Sequence, residues 1–464
     1  MSKPETNRPN TVTNPIIILL GILLLATAMT YFIQSGSYER DGRIVVPNSY
    51  EVIDKEINLE SFIRTSKVSG AEAQPISIAQ AVMAIPEGLE RGSGLIFMVL
   101  IIGGLFGILQ KAGAIDAGLE RLLGVVKGNI YVLIIVLMTV LSAGSTFLGL
   151  ASEYLLIIPL MVAMADRLGM PRIIGFAIVC ISVKAGYLAS VTNPLPLTIA
   201  QPLLGLQIFS GASVRFIFYL AFLVVGILFL IAMVKKLGIS TKEDIQFSSH
   251  KLSKRNTLLL STLVLSIAFL VYASNQWHWK HHALSAYYIA ISILLAIMSG
   301  LGASNAADAF VDGMKKVLLA SFLIGVATAV AVVLEQGKIL DTVVYGLMSV
   351  VGEGNAYLSV VGMFFSQLML DFLIPSTSGQ AAVSMPILGP IGQLSGVPPQ
   401  TTVMAFLFGN GITNMLTPTS GTLLAYLATA RVSWSEWAKF VLPLWAIYIA
   451  LAMILLSFSV YFQF

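Results

Sequence analysis

Charge is scarce in this chain. Of its 464 residues only 11% are Asp, Glu, Lys or Arg, under half the ~25% of an ordinary soluble domain. Hydrophobic residues make up 57% and the mean hydropathy is +0.87. Such a composition excludes a soluble globular fold, and a net charge of +4 gives no basic surface for nucleic acid. Cysteine is almost missing too: Cys180 stands alone, which excludes an internal disulfide and a cysteine metal cluster, so no metal centre or cofactor is expected. The four histidines, 250, 278, 281 and 282, all fall in predicted loops, so no buried Ser–His pair is available for a hydrolase. There is no His-Glu-x-x-His and no Gly-x-x-x-x-Gly-Lys-Ser/Thr phosphate loop, which argues against a metalloprotease and an ATP-driven pump. The chain does not read as an enzyme.

What is abundant is apolar sequence in runs near the ~20 residues of a spanning helix, the mark of an all-α polytopic membrane protein. Helix 1 is predicted over 15–35 and is read as retained, because no small-residue cleavage site follows it. A polar external loop covers 37–91. Helix 2 follows over 93–112, then an interfacial amphipathic stretch over 114–127. Residues 129–165 read as a re-entrant hairpin, since the leg 154–165 is too short to cross. Helix 3 spans 172–206 and is broken at Ser190-Val191-Thr192-Asn193-Pro194-Leu195-Pro196, because proline lacks an N–H and clashes with the preceding turn. Helix 4 is 214–234. The loop 235–256 carries Lys235, Lys236, Lys242, Lys251, Lys254 and Arg255 against Glu243 and Asp244, which places it, and the N-terminus, in the cytoplasm of a bacterial inner membrane. Helices 5 (257–274) and 6 (284–302) flank an external aromatic anchor, Trp277-His278-Trp279-Lys280-His281-His282. Helix 7 (317–335), a second interfacial stretch (338–352), a second hairpin (356–391), a broken helix 8 (399–427) and helix 9 (438–462) complete the chain.

The second half repeats the first. Gly128-Asn129-Ile130-Tyr131 recurs as Gly354-Asn355-Ala356-Tyr357, Asp116 as Asp341, and Leu-Gly-Met-Pro at 168–171 as Ser-Gly-Val-Pro at 395–398, with spacings of 225 to 227 residues. Asn193-Pro194 aligns with Thr417-Pro418. Counting crossings from the cytoplasmic loop opens the first hairpin inward, beside Lys127, Arg167 and Arg172. The second opens outward, where 392–400 carries no Lys or Arg. The repeats are therefore expected to be inverted, the architecture of an alternating-access transporter whose broken helices meet at the bilayer midplane.

Polar residues at those interruptions are the candidate site. Irregular backbone at membrane depth is tolerated where it is buried in protein or lines a wet cavity. Ser376, Thr377, Ser378, Gly379 and Gln380 offer hydroxyls and backbone donors at a helix N-terminus, whose positive end suits a carboxylate. Ser145 and Thr146 are the first-repeat equivalents. Lys184, deep in helix 3, would receive a substrate carboxylate as a point charge. Glu153 and Asp371 are expensive carboxylates in lipid and are expected to couple ions, carry protons or pair with Lys184; Glu153 also suits a capping role. Asn193 and Asn414, with Thr192, Asn410, Thr413, Thr417 and Thr419, offer oxygens for substrate or for a hard cation such as Na⁺, or simply satisfy the broken backbone.

Two runs, Ser-Thr-Ser-Gly-Gln-Ala-Ala-Val-Ser-Met-Pro (376–386) and Pro-Thr-Ser-Gly-Thr-Leu-Leu-Ala (418–425), resemble the YfcC-type branch of the DcuC family, which includes anaerobic C4-dicarboxylate carriers and basic amino-acid antiporters. The chain is also similar to the wider ion-transporter superfamily of two-hairpin, elevator-like carriers. That resemblance implies a homodimer with helices 1, 5 and 6 as scaffold, and Na⁺ or H⁺ as coupling ion near the breaks. The chain departs from the branch in Lys184, in Asn410 where an acid is common, and in a less acidic first tip, Ala151-Ser152-Glu153-Tyr154. These departures weigh against a cationic substrate and against proton coupling. The expected function is secondary active transport of a small carboxylate-bearing metabolite, an amino acid first, with basic amino-acid exchange as one form of it. A C4-dicarboxylate is the alternative substrate, and a channel the alternative class.

Overall fold

In lipid a backbone polar group has no partner but another backbone group, so apolar runs become helices. The computed structural model describes residues 15–464 apart from 43, 56, 58–59, 64, 66–72, 126–128, 239–252, 278, 280, 350 and 352–354. Helix α1 is Pro15–Phe32. A small polar cap follows, in which β1 (Ser35–Ser37) pairs antiparallel with β4 (Glu51–Ile53), and β2 (Arg40–Asp41) with β3 (Ile44–Val45). Next come α2 (Glu60–Ile63), α3 (Ile78–Lys111) and α4 (Ala114–Val125). The first helical hairpin is α5 (Ile130–Leu148), a tight 3-10 turn (Ser152–Leu156) and α6 (Ile158–Arg167). The first broken helix is α7 (Arg172–Ala189) with α8 (Pro194–Leu203), and α9 (Ala212–Lys236) closes the half.

Helices α10 (Lys254–Trp277), α11 (His281–Ser299) and α12 (Ala303–Lys315) lead to the second half. There α13 (Leu318–Gln336) bends by 80° into α14 (Leu340–Ser349). The second hairpin is α15 (Ala356–Leu373) with α16 (Thr377–Leu394), the second broken helix α17 (Pro399–Asn414) with α18 (Gly421–Ala430), and α19 (Trp434–Tyr461) ends the fold. Among the described residues seven segments are long and apolar enough to cross a membrane, or eight if the bent pair counts as one. The first broken helix is the most enclosed, with 94% of its apolar window buried. Both breaks therefore sit in protein, not against lipid.

The structure corrects the reading of 37–91 as one loop. Residues 78–91 are the first turns of the 34-residue α3. Their charges suggested a loop, but Arg91 spends its guanidinium on Glu87 (2.8 Å) and on Glu335 of α13 (2.6 Å). A reciprocal cap starts the helix: Gln80 N–H donates to Ser77 Oγ (3.0 Å) and Ser77 N–H to Gln80 Oε1 (2.9 Å). Gly88 then lets α3 and α13 touch, since a Cβ there would lie 2.3 Å from the Gly325 carbonyl oxygen. The amphipathic α12, which was not anticipated, packs on α3 through the same kind of contact between Gly107 and Ala309.

The two repeated halves use the same local devices. Asn129 caps α5 by accepting from Tyr131 N–H (3.1 Å), and Asn355 caps α15 by accepting from Tyr357 N–H (3.0 Å). Each hairpin lies along its own broken helix at a close glycine crossing: Gly186 against the Ser142 carbonyl, and Gly409 against Gln367. The repeated acids take different partners. Asp116 meets Arg167 at 3.0 Å, whereas Asp341 meets Arg40 of the cap at 2.6 Å. Gly128, Gly354, Lys127, His250, His278, Lys280 and the charged residues Lys242, Glu243, Asp244 and Lys251 lie outside the described residues.

Candidate functional site

Each break frees backbone groups, and the neighbouring hairpin tip takes them up. In the first break α7 ends at Ser190 in the left-handed region (φ 44°), and Asn193 caps α8 by accepting from Leu195 N–H at 3.0 Å. Val191 N–H donates to Thr146 Oγ1 (3.1 Å), Thr192 N–H to the Thr146 carbonyl (3.0 Å), and Thr192 Oγ1 to the Phe147 carbonyl (2.9 Å). In the second break Thr413 Oγ1 donates to the Leu368 carbonyl and Thr419 Oγ1 to the Phe372 carbonyl, each at 2.8 Å. Asn414 Nδ2 donates to the Pro375 carbonyl at 3.1 Å. A buried unpaired backbone group is costly, so these bonds fix each tip to its break.

Between the two tips lies a cavity of about 340 Å³. Ser145, Gly149, Ala151 and Ser152 line it from the first hairpin, Lys184, Tyr187 and Asn193 from the first broken helix, Pro375, Ser376 and Thr377 from the second tip, and Asn410, Asn414, Thr422 and Tyr426 from the second broken helix. Lys184 is the one charged side chain among the described lining residues. The residue is only 8% exposed, and its ammonium donates to Asn414 Oδ1 at 2.6 Å, an oxygen that also accepts from Ser420 Oγ (3.2 Å).

Behind the cavity wall sits Asp371, fully buried. Its Oδ1 accepts from Asn410 Nδ2 at 2.6 Å, while its Oδ2 has no hydrogen-bond partner. Asn410 is the junction: Nδ2 also donates to Gln380 Oε1 (2.8 Å), and Oδ1 accepts from the Tyr187 hydroxyl. That hydroxyl also bonds Thr377 Oγ1 at 2.9 Å. Asn410 thus carries the buried carboxylate's polarity to Tyr187 and Thr377 at the cavity surface.

The anticipated residues therefore divide. Ser145, Lys184, Asn193, Ser376, Thr377, Asn410 and Asn414 reach the cavity. Thr146, Thr192 and Thr413 serve backbone carbonyls or amides, and Thr417 bonds Thr419 at 2.7 Å. Gln380 is buried with Gln367, Ser378 points to the exposed side, and Gly379 N–H donates to the capping Ser376 Oγ at 3.3 Å. Glu153 accepts from the Ala151 N–H at 2.9 Å, and Lys184 turns to Asn414. Among the described residues Lys184 and Asp371 close no ion pair: the ammonium bonds Asn414 and the carboxylate bonds Asn410. Among the described residues no group of three or more His, Cys, Asp or Glu converges to hold a metal.

Three residues had no place in the sequence argument. Tyr187 and Tyr426 line the cavity, and Tyr426 ties the two halves by donating to the Ala151 carbonyl. Arg215 is fully buried and donates to the carbonyls of Val191 (3.1 Å) and Ser210 (2.7 Å) and to Gln400 Oε1 (3.2 Å). No distinct signal in the sequence marked it, since an arginine in the first turn of a membrane helix ordinarily reaches the interface.

The family model described as C4-dicarboxylate anaerobic carrier, DcuC, matches residues 13–461. An Escherichia coli K12 protein described as "Putative basic amino acid antiporter YfcC" is 26% identical over 485 residues, covering 94% of each chain. An uncharacterized Haemophilus influenzae protein is 26% identical over 507 residues, covering 99% of this chain and 98% of its own. Two solved structures are similar at lower levels. The Alcanivorax borkumensis YdaH transporter has a TM-score of 0.42 and 14% identity, covering 97% of this chain and 99% of its own. Neisseria gonorrhoeae MtrF, described as illuminating a class of antimetabolite efflux pumps, has a TM-score of 0.40 and 16% identity, covering 96% of this chain and 95% of its own.

Proposed function

The chain belongs to the DcuC family of C4-dicarboxylate anaerobic carriers, and from that premise we propose that it moves a small carboxylate-bearing metabolite across the bacterial inner membrane by alternating access. The supporting observation is the shared cavity: both hairpin tips and residues flanking both helix breaks line one space that holds a single buried ammonium. In this reading Lys184 receives the carboxylate, the N-terminus of α16 at Ser376 and Thr377 donates to it, and Ser145, Tyr187 and Asn414 read the rest of the molecule. The two halves run in opposite directions, and the paired hairpins move past a scaffold of α1, α10 and α11 in a homodimer whose N-terminus is cytoplasmic.

The first substrate class is an amino acid, because the polar lining around one ammonium suits one carboxylate plus neutral hydrogen-bonding groups. The description of the E. coli relative points the same way. A C4-dicarboxylate is the second reading, supported by the family description, with the α16 N-terminus taking the second carboxylate. Should transport be ion-coupled, Glu153 and Asp371 are the carboxylates available to carry the ion.

Proteoliposomes loaded with one candidate and offered the same labelled compound outside test the proposal. Saturable counterflow of an amino acid or a dicarboxylate is expected, and competition between succinate and arginine ranks the two classes. Uptake against a gradient separates a carrier from a channel, which cannot drive it. Absence of saturable flux for every compound in both classes would overturn the reading.

A further inference from the structure

Asp371 is fully buried, yet one of its two oxygens is unpartnered. A buried carboxylate needs compensation by a cation or by full hydrogen bonding, and the amides that face Asp371, Asn410 on Oδ1 and Asn414, are both neutral. The nearest cation along α17 is Lys184, bound one turn away at Asn414. The two do not touch. Lys184 Nζ is held by Asn414 Oδ1, the side-chain oxygen at the end of α17. Asn414 and Asn410 lie one turn apart on that helix, so α17 presents one amide to each charge.

We propose that Lys184 is the resident counter-cation of Asp371, standing where a carrier would otherwise take an ion from solution. The inference rests on the transporter reading only for its effect on flux; its electrostatic part stands on the geometry alone. With the ammonium tethered to α7, Asp371 stays charge-balanced in the empty carrier without Na⁺ or H⁺. A substrate carboxylate entering the cavity engages an ammonium that has only a neutral amide oxygen to give up. Reorientation of the empty carrier and binding of the substrate then need no sodium gradient.

The other titratable groups around this pair are few. Cys180 and Tyr187 lie on α7 with Lys184, and Tyr426 on α18 is within electrostatic reach of Cys180, Glu153, Tyr154 and Tyr288. None of them is a second cation.

The test compares wild type, Lys184→Met and Lys184→Met/Asp371→Asn. The purified proteins, without substrate, are melted with sodium or choline chloride and at two pH values; flux in proteoliposomes is measured under the same pairs of conditions. Wild type is expected to melt and transport alike in both salts. Lys184→Met, with Asp371 uncompensated, is expected to be stabilised by sodium or by lower pH, and to lose flux by at least about tenfold in every condition because the ammonium that receives the substrate is gone. The double variant, with neither charge, is expected to regain salt-independent melting. If Lys184→Met does not fold, folded double variant is the expected rescue. The proposal is overturned if wild type is itself stabilised by sodium, if Lys184→Met responds to neither cation, or if the double variant is no better folded than the single. If this melting pattern holds while no variant transports anything, the counter-cation stands and the transport reading falls.

Discussion

Lys184 and Asn414 meet at 2.6 Å although 230 residues separate them. The first comes from the leg before one helix break, the second from the last turn before the other. A bond from an ammonium to a neutral amide oxygen is strong enough to order both side chains, contributing about 1.5–3 kcal/mol. It is weaker than a closed ion pair at the same place, which is what a ligand-binding ammonium requires.

Replacing Asn414 with Asp should therefore separate stability from activity. The new carboxylate would close an ion pair with Lys184 but give up the Nδ2 bond to the Pro375 carbonyl, so thermal unfolding should change little. Uptake should fall by about tenfold or more, because substrate must then break a charged contact. Melting curves and initial uptake rates on the same preparation check both halves. Faster uptake with an unchanged melt would contradict the role assigned to Lys184.

Tyr187→Phe removes the hydroxyl that joins Asn410 to Thr377, and Asn410→Ala removes the junction itself. Since both act on one network, their effects should not add. A double-mutant cycle on melting temperature and on uptake should return a coupling of about 1 kcal/mol. Simple additivity would mean that the hydroxyl and the amide work independently.

Arg215 predicts a dependence on side-chain shape. Its guanidinium spans the Val191 and Ser210 carbonyls and Gln400, which a single ammonium cannot reach together. Arg215→Lys should lower stability by about 2 kcal/mol or more, nearly as much as Arg215→Met. Thermal unfolding of the purified variants is the measurement, and a lysine variant as stable as wild type would refute the bridging role.

Gly88→Val should prevent assembly of α3 against α13, because its Cβ would lie 2.3 Å from the Gly325 carbonyl. Gly21→Val, at a glycine whose Cβ meets nothing within 4 Å, should be tolerated. Fluorescence-detected size-exclusion profiles of tagged variants distinguish a monodisperse peak from an aggregated one.

Much of the helical layout was legible in the chain, since apolar length and the scarcity of charge act locally. The breaks were legible for the same reason: proline at 194 and 196 and at 418 removes donors, and Asn193 and Ser420 supply caps within two or three residues. The extension of α3 through 78–91 was not. Its charges read as loop because their partner, Glu335, lies 244 residues away from Arg91.

The sequence by itself determined that this is a membrane-embedded helical protein with two interrupted segments, because hydrophobic length and missing N–H groups are properties of neighbouring residues. Which polar groups face the cavity was decided only by tertiary structure. Thr192 and Ser376 look alike in the chain, yet one serves the Phe147 carbonyl while the other lines the cavity. A side chain's free hydrogen-bonding capacity depends on what the opposite hairpin brings to it, and no local pattern encodes that.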